Sequence, residues 1–301
     1  MTVRRTVLAA ALAAAVLAPS AGADGGGASP GVYQGPSSLV DAAHGLRYAT
    51  VAAGFQTVVE QIRTHGGAIA RLRNISADFG LPLVTWNGDL GGLSADGNLL
   101  VLSSRPNGGS GLSKTSRFLV LDARSLTSRR TIMLRGDFMF DALSPDGKTL
   151  YLIQHNSARN LQRYRVRAYD LARGALRRGA IVDRSEPNMS GTPYARTATH
   201  DGAWVYTLYF GGKEPFIHAL DTVHGRALCL DLDWSSRQGR IWQQRIELTS
   251  GGTRLAFVNR QTGKRAKETF DLRRAHAERE LTIRRVEVED DVVRAGRLVY
   301  A

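Results

Sequence analysis

Seven histidines, one cysteine and scattered carboxylates are the side chains able to do chemistry, and their spacing decides what that chemistry could be. His44, His65, His155, His200, His218, His224 and His276 form neither His-x-x-x-His nor His-Glu-x-x-His, so no metal-ligand spacing is visible, although ligands drawn from separate strands would leave no such trace. His200 reads as part of a turn and His218 as part of a strand. Asp141 and His155 belong to one repeat, at positions that would face its open end, and are the first acid and imidazole to consider together. Cys229, inside Ala227-Leu228-Cys229-Leu230, reads as a buried apolar residue because no activating His and Asn or Asp stand near it. Gly-x-Ser-x-Gly is absent, and Gly147-Lys148-Thr149 ends like a phosphate loop but has Ala142 where the first glycine should be. Each Asp-Gly pair supplies one carboxylate, too few for a calcium loop, and Asp290-Asp291 read as a solvated pair in a charged tail. These motifs assign no catalytic residue, no metal and no cofactor.

Binding residues concentrate on irregular loops carried by a rigid scaffold. The least regular segment is 183–196, which carries Arg184, Glu186, Tyr194 and Arg196. Trp86, before Asn87-Gly88, and Trp234, after Asp231-Leu232-Asp233, are further candidates, each weighed against plain packing between sheets.

The elements that would position these residues are written as a repeat. Ser94-Ala95-Asp96-Gly97, Ser144-Pro145-Asp146-Gly147 and Thr199-His200-Asp201-Gly202 each lie between two apolar strands, with weaker copies at Thr249–Gly252 and Ala42–Gly45. The glycines of the four later copies are 50, 55 and 50 residues apart. Asp96-Gly97, Asp146-Gly147 and Asp201-Gly202 suit tight hairpin turns, since glycine accepts positive φ and the aspartate binds nearby backbone. After each turn comes an aliphatic strand, as in Asn98–Ser103, Lys148–Ile153, Ala203–Tyr209 and Thr253–Val258. A third strand ends in aspartate (Arg117–Asp122, Val166–Asp170, Ile217–Asp221) and a fourth closes the unit (Thr131–Leu134, Ala180–Val182, Ala227–Leu230). Four antiparallel strands per period of about fifty residues predict an all-β propeller of five or six blades, seven fitting less well. Glu280–Arg284 and Arg297–Tyr300 are candidate strands of a last blade, and only Thr269–Leu281 has helical composition.

Composition places the chain among ordinary globular proteins: 301 residues, 43 % hydrophobic, a single cysteine and therefore no internal disulfide. Its net charge of +13 comes almost wholly from arginine, 35 of the 40 basic residues, spread without a run longer than two. That dispersion speaks against a nucleic-acid stripe and for a solvated basic surface. Arg4-Arg5, the apolar stretch 6–19 and Ala21-Gly22-Ala23 make a signal peptide cleaved after Ala23, so the expected organisation is 1–23 signal peptide, 24–38 flexible leader and 39–301 one propeller domain. The general secretory route is favoured over twin-arginine export. Beyond residue 23 no run is long enough to span a membrane.

Leu143–Leu152 (LSPDGKTLYL) followed by Tyr164–Leu171 (YRVRAYDL) resembles the repeats of WD40-like, YVTN-type and TolB-type bacterial propellers. Gly136–Gly147, Ile181–Asp183 with Glu186-Pro187, and Pro215–Thr222 resemble a group of exported actinobacterial propeller proteins of unassigned activity. The resemblance covers roughly residues 40–260, lacks the Gly-His and Trp-Asp dipeptides of eukaryotic WD40 repeats, and implies a fold far more than an activity. The expectation is an exported, monomeric, non-catalytic propeller presenting loops to a protein or an anionic envelope polymer, without nucleic acid. The alternative is a lactonase-like or other hydrolytic propeller whose site is assembled from several blades.

Overall fold

The computed structural model describes residues 31–105, 112–211, 214–232 and 241–283. The signal peptide, Trp234, Asp290-Asp291 and the Arg297–Tyr300 strand lie outside the described residues. Twenty strands fall into five antiparallel sheets. The first runs β2 (Gly35–Asp41), β3 (Leu46–Ala53), β4 (Gln56–Arg63), β5 (Ile69–Ile75). The second runs β6 (Phe79–Pro82), β7 (Leu99–Ser104), β8 (Thr115–Asp122), β9 (Ser128–Arg135), with β1 (Val32–Tyr33) added beside β6. The third is β10 (Asp137–Leu143), β11 (Thr149–His155), β12 (Tyr164–Asp170), β13 (Ala175–Leu176), and the fourth is β14 (Thr192–Ala198), β15 (Trp204–Phe210), β16 (Pro215–Asp221), β17 (Arg226–Asp231). The fifth holds three strands, β18 (Gln244–Thr249), β19 (Arg254–Asn259) and β20 (Arg265–Asp271), and is followed by a helix, α1, over 272–283.

The Asp-Gly turns join the first two strands of the second, third and fourth sheets. Gly97, Gly147 and Gly202 have φ of 67°, 65° and 72°, and Asp96, Asp146 and Asp201 each accept a backbone N–H two residues on at 3.0 Å. At Gly97 glycine is required twice over, since a Cβ there would also stand 2.5 Å from Asp41 Oδ2 of the first sheet.

A sheet with two apolar faces is stable only between neighbours, and four apolar clusters do that work. Tyr48 and Val59 of the first sheet pack with Leu100 and Leu121 of the second; Val101 and Phe118 of the second with Phe140 and Leu152 of the third. Tyr151 and Val166 of the third then meet Val205 and Tyr209 of the fourth, and Leu208 and Ile217 of the fourth meet Leu255 and Phe257 of the fifth. Consecutive four-stranded sheets stacked side by side in chain order are the blades of a β-propeller. The fold is the expected all-β propeller, with five blades among the described residues.

The details depart from expectation where local sequence is a poor guide. Ala180–Val182 is not a strand; Ile181 makes one isolated bridge to Val166, and β13 is earlier and two residues long. The fifth sheet has three described strands instead of four. β1 and the start of β2 lie inside the segment expected to be a flexible leader, because the second sheet offers β6 as an edge for Val32 and Tyr33. The expected strand at Glu280–Arg284 is helical through 283. Asp271 accepts the Arg274 N–H at the start of α1, and Leu272, Ala275 and Ile283 lie along one face and pack on the fourth and fifth sheets.

Candidate functional site

A shallow, open depression, with about 30 Å³ of enclosed room, lies between the third and fourth sheets, at the strand ends opposite the Asp-Gly turns. Trp86, His155, Gln162, Tyr164, Arg196 and Tyr209 are among its lining. Five separate pieces of chain supply these side chains: the 83–92 loop, β11, the start of β12, β14 and β15.

Trp86 arrives on an excursion between β6 and β7, residues 83–92. A bridge from Leu83 to Leu90 closes the excursion on itself, and one from Leu93 to Leu100 ties its far end to β7. The tip reaches across the other blades: the Trp86 amide donates to the Pro193 carbonyl (2.9 Å), Asp89 Oδ2 accepts the Arg196 amide (2.9 Å), Asn87 Nδ2 donates to the Gln244 carbonyl (3.1 Å), and Arg260 Nη2 donates to the Asn87 carbonyl (2.7 Å). Gly91 lies so close to Phe140 that a Cβ there would stand 2.7 Å from its ring. One loop of the second blade is therefore pinned by the third, fourth and fifth, and the indole it carries is left 40 % exposed.

Asp141 and Arg196 form the wall below. Both inner strands carry a β-bulge, at Asp141 in β10 and at Tyr194 in β14, the device that turns a side chain out of strict alternation. The Arg196 guanidinium bonds the Asp141 carboxylate and carbonyl and donates through Nε to Thr207 Oγ1 (3.0 Å). Both side chains are nearly enclosed, at 3 % and 13 % exposure. His155 meets Asp137, not Asp141: Nδ1 lies 3.0 Å from Asp137 Oδ1. Burial raises the Asp137 carboxyl, but His155 and the Ser113 amide outweigh it and hold the group below the ordinary carboxylate range.

Beneath the depression Tyr164 stacks on Tyr209 with ring centroids 4.9 Å apart, and its hydroxyl lies within hydrogen-bond distance of His218 Nδ1 at 3.2 Å. His218 Nε2 and Asp141 Oδ2 are both buried and without a hydrogen-bond partner among the described residues. Burial pushes the His218 imidazole down to about 4. An unfolded histidine titrates near 6.5, so as pH falls the unfolded chain takes up a proton that the folded chain refuses. Stability linked to His218 is full above about pH 6.5 and falls by about 3 kcal/mol by about pH 4. The urea midpoint should drop across that window, and the drop should be smaller in His218→Gln; equal drops in both proteins would remove His218 as the cause.

Of the residues singled out by sequence, Trp86, His155 and Arg196 line the depression and Asp141 stands behind Arg196. Arg184 is exposed, Glu186 pairs with Arg279 of α1 (2.9 Å), and Tyr194 packs toward the seam with the fifth sheet. Thr192–Arg196 is strand, so the irregular loop ends earlier than expected. Asp96, Asp146 and Asp201 with their glycines lie at the other ends of the strands. Gln162, Tyr164 and Tyr209 were missed, as were Asp89 and Asp137; the signal that could have found the Asp141–Arg196 contact is that each stands six residues before the glycine of its own turn. Among the described residues no group of three or more His, Cys, Asp or Glu side chains could hold a metal ion, and no helix is long and apolar enough to cross a membrane.

No family model and no curated protein matches the chain. Solved structures similar to it include the Swd1 β-propeller domain of Myceliophteria thermophila (12 % identity, 76 % of this chain and 63 % of that one, TM-score 0.45) and a functionally unknown protein of Desulfotomaculum acetoxidans (14 %, 80 % and 70 %, 0.46). TolB from Acinetobacter baumannii is similar at 15 % identity over 75 % of this chain and 53 % of its own, with a TM-score of 0.38. Likeness at this level carries no ligand or activity across; the propeller assignment stands on the sheets themselves.

Proposed function

We propose that this chain is an exported binding protein that presents the depression between its third and fourth blades to a ligand. The observation that carries the reading is pre-organisation: Trp86 is fixed through Pro193, Arg196 through Asp141 and Thr207, His155 through Asp137, and Gln162 through Thr192. Side chains locked before a ligand arrives spend little entropy on binding it, and the partly exposed indole offers a large apolar face beside a guanidinium. Export is supported by Arg4-Arg5, the apolar stretch that follows and the small residues at 21–23.

The test is a printed array of bacterial polysaccharides and peptides probed with labelled wild-type protein and with Trp86→Ala. Trp86 is partly exposed, so the variant should keep the wild-type melting temperature while losing at least about tenfold in signal on the features that bind. Arrays that bind both forms equally, or neither, would overturn the reading. Turnover of an ester or lactone that disappears in His155→Ala would replace it with the hydrolytic one. Protein recovered from the culture fluid should begin at Asp24; retention in the cell with residues 1–23 attached would refute export.

A further inference from the structure

Resting on that reading, we propose that the ligand is an acidic oligosaccharide, seated with one ring on Trp86 and with further rings over a second groove at the same strand ends of the third blade. This groove, about 210 Å³, shares the buried Tyr164 with the depression and is lined by Asn156, Ser157, Arg163, Arg165 and Asn188 among others. Neither lining contains an aspartate or glutamate. The carboxylates nearby are already engaged: Asp137 by His155, Asp141 by Arg196, Glu186 by Arg279. Two guanidiniums are left without a counter-charge. Arg163 bonds only the neutral Asn188 amide oxygen (2.8 Å), and exposed Arg165 has no side-chain partner among the described residues. The two linings therefore carry positive charge and no carboxylate to offset it.

The remaining chemistry selects the ligand class. Gln162, Asn156 and Asn188 offer planar amides, each a donor and an acceptor side by side, which suit adjacent sugar hydroxyls. An indole face stacks on the C–H face of a pyranose, and guanidinium matches a carboxylate in two-point geometry. Beyond Tyr164 the second groove offers Pro187 and Met189 as its apolar lining, and Met189 is 2 % exposed, so there is little for a peptide's apolar side chains to fill.

Titration by isothermal calorimetry would use a galacturonate tetrasaccharide, its methyl ester and a hyaluronate tetrasaccharide against wild type, Trp86→Ala and the double variant Arg163→Gln with Arg165→Gln. Both arginines are exposed, so the double variant should fold normally, which its melting temperature checks. An acidic tetrasaccharide should bind at least about tenfold more tightly than the ester, weaken with salt, and lose that advantage in the double variant, while Trp86→Ala loses both ligands. Equal affinity for acid and ester, or no effect of the double variant, overturns the acidic part of the proposal. Trp86-dependent binding of a polyglutamate peptide or an oligonucleotide, with neither acidic saccharide bound, overturns the ligand class and leaves the binding reading standing. Absence of any Trp86-dependent binding here and on the array removes both.

Discussion

Replacing Asp141 with alanine is expected to lower the unfolding free energy by about 3–5 kcal/mol. The aspartate is 3 % exposed and Arg196 13 %, so the pair sits in the seam between the third and fourth blades with little water to screen it. Without the carboxylate, Arg196 keeps its bonds to the residue 141 carbonyl and to Thr207 but loses its counter-charge in a low-dielectric place. Removing both charges is a different event. Asp141→Leu combined with Arg196→Met leaves no lone buried ion and should recover most of the loss. Urea denaturation of the three proteins decides; if the double variant is as unstable as the single one, shape and not charge holds this seam.

Asp183→Ala should cost a similar amount, about 3–5 kcal/mol, for a different reason. Asp183 is fully buried, accepts the Cys229 amide at 2.8 Å and the Ser185 hydroxyl at 2.6 Å, and receives Arg279 Nε of α1 at 2.7 Å. Its removal strands a buried N–H and takes away one of the ties of α1, leaving Arg279 with Asp231 and Glu280 with Arg226 on the fourth blade. Amide exchange over 272–283 should accelerate relative to the blade cores; unchanged exchange there would show that the apolar face of α1 suffices. A pH dependence accompanies it. Burial pushes the Asp183 carboxyl up, but the Cys229 amide, Ser185 and Arg279 outweigh that and hold it below the ordinary range. The unfolded chain therefore takes up the proton first as pH falls. The stabilisation is complete above the unfolded value, about 4, and is lost below it as pH falls through the folded value, so wild type should lose stability more steeply there than Asp183→Asn.

The fold was legible because a hairpin turn depends on two adjacent residues, and Asp146-Gly147 states its geometry locally. The site was half legible. Counting back from the Asp146-Gly147 turn in an unbroken ladder sets His155 opposite Phe138; the bulge at Asp141 shifts the register by one and sets it opposite Asp137. A bulge needs tertiary context, so neither Asp137 opposite His155 nor the turn of Asp141 toward Arg196 was readable from spacing. Arg184 and Glu186 looked like mouth residues because their loop is irregular. Instead an Asp183–Glu186 bridge folds that loop around Asp183, with Arg279, ninety-six residues on, completing it. Trp86 could be picked out as an aromatic beside a turn, but nothing local says that its loop would find partners on three other blades.

That loop also sets the order in which the molecule can be completed. Its partners lie 107, 157 and 173 residues downstream, at Arg196, Gln244 and Arg260. Hairpins of the early blades can zip up as soon as the chain is free to fold, whereas closing spans of that length is slow and entropically costly. The tryptophan is synthesised in the first third of the chain, yet its seat does not exist until the last described sheet has been made. The Trp86 loop is thus among the last parts of the molecule to be fixed, and a chain cut before Gln244 would keep most of its blades while that loop lacked its partners on the fifth.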